Sequence, residues 1–422
     1  MKPASIKSYC FILILSATTL FVSCNKDVEQ YPVTASDDGF GSASVKAIAD
    51  TIATMEDDSL FNIVLEKSGR ADALNDKTLR YTLYVPVNTA VKNAVAFLTG
   101  GAIPASAPNA TVAAFLRSGQ FTSGSADTLV QYHTVAQLFP VSAVPAAFPN
   151  LPLPSILNPA PSVSAFLRLN VFPASINGNW LNNIPMTGPN DVKAANGYIH
   201  HIAAVALPPS SYLWTRISTD ADLTYLKAAI ERADSGSTAS TSLVANLNTI
   251  GPNFTLFAPT NAAFQTALIN VITLNLYRQG VPLSTAQAQA SAWVTAYGPA
   301  IFSNTSLYGS LTATTVKGII AYHLFGNWSG TPAGMRAFLN NFPTTTTWYQ
   351  TMLNSSLADH PGIGLTVTLG TAGVTAATVM GAQNSTAANI LINPTPGTGT
   401  SDQHYLNGVL HKIDQVLIPL AL

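Results

Sequence analysis

One stretch of this sequence occurs twice, so any fold must accommodate two copies of one unit. Phe254-Thr-Leu-Phe-Ala-Pro-Thr-Asn-Ala-Ala-Phe-Gln-Thr-Ala267 answers Tyr81-Thr-Leu-Tyr-Val-Pro-Val-Asn-Thr-Ala-Val-Lys-Asn-Ala94, 173 positions earlier (254 − 81). Each copy reads as a short strand, a proline that closes it, and an amphipathic helix. Pro86 and Pro259 have no amide hydrogen for a sheet ladder and fix φ, which ends the strand. Asn88 and Asn261 are the shared helix-cap candidates, because Val87 stands where the second copy has Thr260. Beyond the cap, Val91, Ala94, Val95 and Leu98 share one helical face, as do Phe264, Ala267, Leu268 and Val271.

Two further landmarks repeat in the same order. Tyr132-His133 answers Tyr322-His323, and Asn196-Gly197 with His200 answers Asn407-Gly408 with His411. The displacement grows to 190 (323 − 133) and then 211 (408 − 197), so the second copy carries the insertions. A period this long marks a duplicated domain; solenoid repeats run roughly 20–50 residues.

These residues together resemble the fasciclin (FAS1) domain family. A strand ending in Pro259-Thr260-Asn261, a mid-domain Tyr-His and a terminal Asn407-Gly408 with His411 and Asp414 carry the resemblance. The second copy is closer to that pattern. The first departs at Val87 and at Ala203, which stands in the place of Asp414. The resemblance implies an α+β fold of two consecutive FAS1-like domains, each a wedge-shaped β-sandwich with edge helices. It also implies a non-enzymatic extracellular adhesion or matrix-interaction role, with a cell-surface or matrix protein or glycan as partner.

The remaining chain fits an exported protein. Lys2 and Lys7 precede an apolar run from Tyr9 to Val22, too short for a membrane-spanning helix, which needs about 20 residues. It ends at Ser23-Cys24, similar to a bacterial lipobox, which makes Cys24 the expected lipidation site. Asn25-Lys26-Asp27 partly resembles the signal that sends Bacteroidetes lipoproteins to the cell surface. The expected location is the outer membrane, surface-exposed, with the periplasmic face as the alternative and the lipid as the sole membrane contact. The other cysteine, Cys10, lies in the segment to be removed, so no internal disulfide is available. The expected organisation is a signal peptide at 1–23, a tether at 24–43, a first domain at 44–208, a linker at 209–218 and a second domain at 219–422.

Charged residues make up 9% of the chain, with a formal net charge of −1, and no basic cluster suits nucleic acid. The histidines invite a metal or catalytic reading. Each repeated one, however, falls on an apolar face, where a hydrogen-bonded core role is favoured. His200-His201 cannot chelate one ion, since neighbours in a strand point to opposite faces. No zinc, calcium, phosphate-loop or nucleophile-elbow motif is present, so no cofactor, metal or catalytic residue is expected. Asp191 and Asp402 read as turn residues. Insertions at 274–311 and 370–403 and a Pro-rich loop at 140–161 are the expected recognition surfaces. Trp328 and Trp348 are the candidate contacts for a sugar ring, under the alternative reading of a glycan-binding accessory lipoprotein in a polysaccharide uptake system.

Overall fold

The computed structural model describes residues 40–420, except 147, 149, 151, 239–240, 305–310, 326–335 and 371–372. The first half opens with α1 (Ile48–Ile52), α2 (Ser59–Ser68), α3 (Ala71–Asn75) and β1 (Tyr81–Pro86). There follow α4 (Asn88–Leu98), α5 (Asn109–Arg117), α6 (Ser123–His133) and β2 (Thr134–Val135). Short strands complete it: β3 (Leu153–Pro154), β4 (Asn170–Val171), β5 (Pro173–Ala174), β6 (Trp180–Leu181), β7 (Ile184–Pro185), β8 (Val192–Ala194) and β9 (Gly197–Ile202). The second half runs α7 (Leu213–Thr219), α8 (Thr224–Ala233), α9 (Leu243–Leu247), β10 (Phe254–Pro259), α10 (Asn261–Arg278), α11 (Leu283–Tyr297) and α12 (Ala313–His323). Its strands are β11 (Leu324–Phe325), β12 (Thr347–Tyr349), β13 (Ile363–Gly370), β14 (Gly373–Gly381), β15 (Ala388–Asn389), β16 (Gln403–Tyr405) and β17 (Gly408–Ile413).

The duplication is reproduced strand for strand. One sheet has the order β2-β1-β9-β8 and the other β11-β10-β17-β16. In each, the repeated motif strand pairs in parallel with the strand that follows the Asn-Gly. Tyr81 sits opposite Gly197 and Pro86 opposite Ile202; Phe254 sits opposite Gly408 and Pro259 opposite Ile413. Both motif strands are buried throughout, as expected of a parallel pair covered on both faces. Alternation divides their side chains. Leu83 and Val85 face the helices, whereas Tyr84 joins the core under the short strands. Leu256 and Ala258 face α8 and α12, and Phe257 faces the β13–β14 side. The chain is thus two consecutive α+β units.

An Asn-Gly pair in a sequence is the usual mark of a left-handed turn, but the glycines of these two pairs serve otherwise. Neither adopts a left-handed φ; the left-handed residues nearby are Asp191 (φ 56°) and Asp402 (φ 51°), which directly precede β8 and β16. Glycine is needed for close approach. A Cβ on Gly197 would lie 1.9 Å from the Tyr81 carbonyl oxygen, and one on Gly408 would lie 2.5 Å from that of Phe254. The parallel ladder can start at these positions because no side chain is present.

Domain boundaries and loops also differ from the expectation. The tether expected to reach residue 43 has ended by Phe40, which is 7% exposed and packs edge-on to Tyr198. The linker placed at 209–218 contains most of α7, whose Leu213 and Ile217 are fully buried in the second core. The 274–311 insertion is largely helical, and Ala286, Ala290 and Val294 lay one face of α11 into that core. The 370–403 stretch supplies β14, which pairs antiparallel with β13.

The Pro-rich loop at 140–161 is a joint between the halves. Its Phe148 stacks on Phe325 at 5.8 Å and meets Tyr349 edge-on at 4.8 Å, both from the second half. Phe172 of the first half packs with Phe338 and Val409 of the second. Amide hydrogen bonds flank these rings: Asn150 Nδ2 donates to Arg336 O, and Asn177 Nδ2 to the carbonyls of Asn340 and Phe342.

Gly197→Ala and Gly408→Ala should each cost at least about 2 kcal/mol, because a methyl group meets backbone that cannot retreat. Gly119→Ala, where an added Cβ meets nothing within 4 Å, should stay within about 0.5 kcal/mol. Urea unfolding of the three variants checks both statements.

Candidate functional site

The residues singled out by repetition converge on the junctions of each half, and they do so in matching pairs. Asn196 and Asn407 are fully buried. Asn196 Oδ1 accepts from Ile48 N at the start of α1, while its Nδ2 donates to Leu74 O and Asp76 O. Asn407 Oδ1 accepts from Leu213 N at the start of α7, and its Nδ2 donates to Asn246 O. The first backbone amides of a helix lack an internal acceptor, and here an asparagine from a distant strand-connecting turn provides one.

Asn88 and Asn261 do the same for the next helix, which corrects their expected role. Neither caps its own helix: the cap positions are Val87 and Thr260, and only Thr260 accepts from its helix, at Ala263 N. Asn88 Oδ1 accepts from Leu60 N, in the first turn of α2, at 2.9 Å. Asn261 Oδ1 accepts from Tyr225 N, in the first turn of α8, at 3.1 Å. Each therefore caps a neighbouring helix across the fold.

The repeated histidines are buried and use both ring nitrogens. His133 Nδ1 donates to Leu129 O and its Nε2 accepts from Ala206 N. His323 repeats this with Ile319 O and Leu417 N. His200 Nε2 donates to Phe139 O and its Nδ1 accepts from Asp191 N. His411 pairs likewise with Ala337 O and Asp402 N. A ring that accepts at one nitrogen is unprotonated there. Burial accordingly lowers His133, His323 and His411 to about 4, and His200 also falls below its ordinary value. Asp191 and Asp402 each approach a histidine nitrogen only to 3.9 Å, so neither forms an ion pair with these neutral rings.

Five residues carry more than the sequence reading assigned to them. Asp191 Oδ1 accepts from Val141 N and Asp402 Oδ1 from Leu339 N, so these turn residues also hold the segments that cross the sheet end. Burial raises Asp402 to about 7. Thr82 Oγ1 accepts from Phe139 N and Thr255 Oγ1 from Ala337 N. Their recurrence at matching motif positions was the available signal. Arg336 had no such signal. It is 5% exposed, donates to the carbonyls of Tyr405 and Leu406 and to Asn253 and His404, and lies 5.2 Å from the Phe172 ring centre.

Asp414 lies apart from these junctions. Its carboxylate is exposed and clamps Asn389 through the backbone amide and the side chain. Pro86 and Pro259 are the last residues of their strands. Of the sugar-stacking candidates, Trp348 stands on β12 opposite Gly364 and is 42% exposed. Trp328 and Cys24 lie outside the described residues. Among the described residues, no group of His, Cys, Asp and Glu is placed to hold a metal ion, and no helix is long and apolar enough to cross a membrane.

Comparison with known proteins finds a family-model match within the first half. Residues 57–208 match the family model of the fasciclin domain. That segment is the copy whose motif departs further from the family pattern, and the second half repeats its strand order and register. No curated protein matches the chain. Among solved structures, a FAS1 domain pair from the insect cell adhesion molecule fasciclin I is similar at 14% identity. The match covers 85% of this chain and 95% of that one, with a TM-score of 0.32.

The depressed histidines set a pH dependence. A folded value below the unfolded 6.5 means stabilisation that is fully present above pH 6.5 and lost as pH falls toward about 4. His133 and His323 should each remove about 1.4 kcal/mol per pH unit in that window. Urea titrations at pH 7, 6 and 5 should show the decline, and a flat profile would contradict it.

Proposed function

We propose that this chain is a non-enzymatic cell-envelope protein that mediates adhesion or surface interaction through two FAS1-like units, anchored by a lipid on Cys24. The observation that carries this reading is where the repeated polar residues spend their hydrogen bonds. Asn88, Asn196, His133, His200 and their counterparts are engaged with backbone groups, and most are buried. A nucleophile or general base needs a lone pair or proton facing a substrate; these have theirs committed to the fold. The fasciclin-domain match over 57–208 supports the same class.

The partner in this reading is a protein or glycan at the cell surface. The lipid provides the membrane contact, and stable anchoring by acyl chains alone requires more than one. A glycan-binding role within a polysaccharide uptake system is the second reading, favoured by one observation. Trp348 presents an indole at the surface of a three-residue strand over Gly364, an arrangement suited to stacking on a sugar ring.

One measurement tests the anchor common to both readings, and a second separates them. Cys24→Ser should move the protein from the detergent phase to the aqueous phase after detergent partition of expressing cells; unchanged partition would remove the lipid anchor. On a glycan array, Trp348→Ala should leave retention unchanged if the partner is a protein. A loss of at least tenfold would favour the glycan reading.

A further inference from the structure

All seven histidines lie within the described residues, and their partners divide them six to one. Six accept a hydrogen bond at one ring nitrogen. The donors are Ala206 N for His133, Asp191 N for His200, Leu417 N for His323, Gly362 N for His360, Arg336 Nη1 for His404 and Asp402 N for His411. Each of these rings is therefore the neutral imidazole. His201 differs. Its Nδ1 faces Pro189 O at 2.5 Å and its Nε2 faces Asp58 Oδ2 at 3.1 Å. A carbonyl and a carboxylate offer no proton, so satisfying both requires an N–H on each nitrogen.

We propose that His201 is a buried imidazolium that latches the start of α2 and the 186–190 loop onto β9, and that its deprotonation loosens the first half alone. A neutral ring has one N–H, which leaves either the carbonyl or the carboxylate against a lone pair. The site has no slack to absorb this. The side chains of His201 and Asp58 are 1% and 0% exposed, and Asp58 Oδ1 has no partner of its own. Asp58 directly precedes α2, whose Phe61 and Val64 belong to the first core. The facing charged groups are Asp58 and, farther off, Asp57; His200, next along the strand, points to the opposite face.

The second half shows what the position requires. The residue in register with Ala258, as His201 is with Val85, is Lys412. Its ammonium group, 5% exposed, meets Asp220 at 2.8 Å and Asp222 at 3.2 Å. Both halves thus place a cation here against aspartates at the start of the second helix. At this position only the first half uses a side chain whose charge changes near neutral pH. Burial by itself would lower His201, but its hydrogen bonds to Asp58 and Pro189 outweigh that and raise it above the ordinary value. A raised folded value means the latch is fully present below pH 6.5 and lost as pH rises through the folded pKa.

Ring-nitrogen NMR on the histidine-labelled full chain, combined with amide hydrogen exchange, tests this directly. At pH 6 one histidine should show two protonated nitrogens, and that signal should disappear in His201→Gln. As pH rises past its titration, protection at Leu60 and Phe61 should fall about tenfold per pH unit beyond the intrinsic rate. Tyr225 and Leu226 in the second half should show no such loss. Asp58→Asn, whose amide can donate to a neutral ring, should fold and lose the pH response. A neutral His201 at pH 6, an equal response in both halves, or an undiminished response in Asp58→Asn would each overturn the proposal.

Discussion

Each half is built on a parallel strand pair that is too small to satisfy its surroundings with further strands. The edge strands β2 and β11 are two residues long. The helix starts and crossing segments packed around the pair are nonetheless buried, and a buried amide without an acceptor costs about 1–3 kcal/mol. Side chains take over the task. Asparagine, threonine and neutral histidine each reach from a strand or helix end to a distant backbone group. This explains why polar residues recur within segments whose other members are Leu, Ile, Val and Phe.

The halves diverge where the framework does not constrain them. The second lengthens α10, adds α11 and the β13–β14 hairpin, and replaces His201 with Lys412. The first spends its long loop on the joint, sending Phe148 among Phe325, Phe342 and Tyr349. Arg336 closes the same seam. Its guanidinium meets carbonyls, an amide and an imidazole, and burial lowers it to about 10. Aromatic and amide contacts of this kind tie the two units together without an ion pair across the seam among the described residues.

The duplication, the motif strands and the burial of the repeated histidines were legible because repetition and alternation are local properties of sequence, whereas the parallel pairing of those strands was not. Partner identities were not. Asn88 looks like a cap for the helix it begins, and a single sequence does not reveal that Leu60 N, 28 residues earlier, is its target. Gly197 follows an asparagine, the usual mark of a left-handed turn, yet the demand on it comes from the carbonyl of Tyr81 across the ladder. The 140–161 loop has the composition of an exposed recognition surface. Its role depends on where the second half lies, which composition does not encode. His201 was legible as pointing away from His200, but its charge follows from two acceptors brought in from residues 58 and 189.

The central claim is that the repeated polar residues exist to complete the backbone. Asn196→Leu and Asn407→Leu, each keeping similar bulk but removing the amide, test it most directly when the full chain is unfolded in urea. Loss of the bonds to Ile48 N and Leu213 N should lower stability by about 2 kcal/mol or more in each variant. Variants that unfold within about 0.5 kcal/mol of the parent would contradict the account.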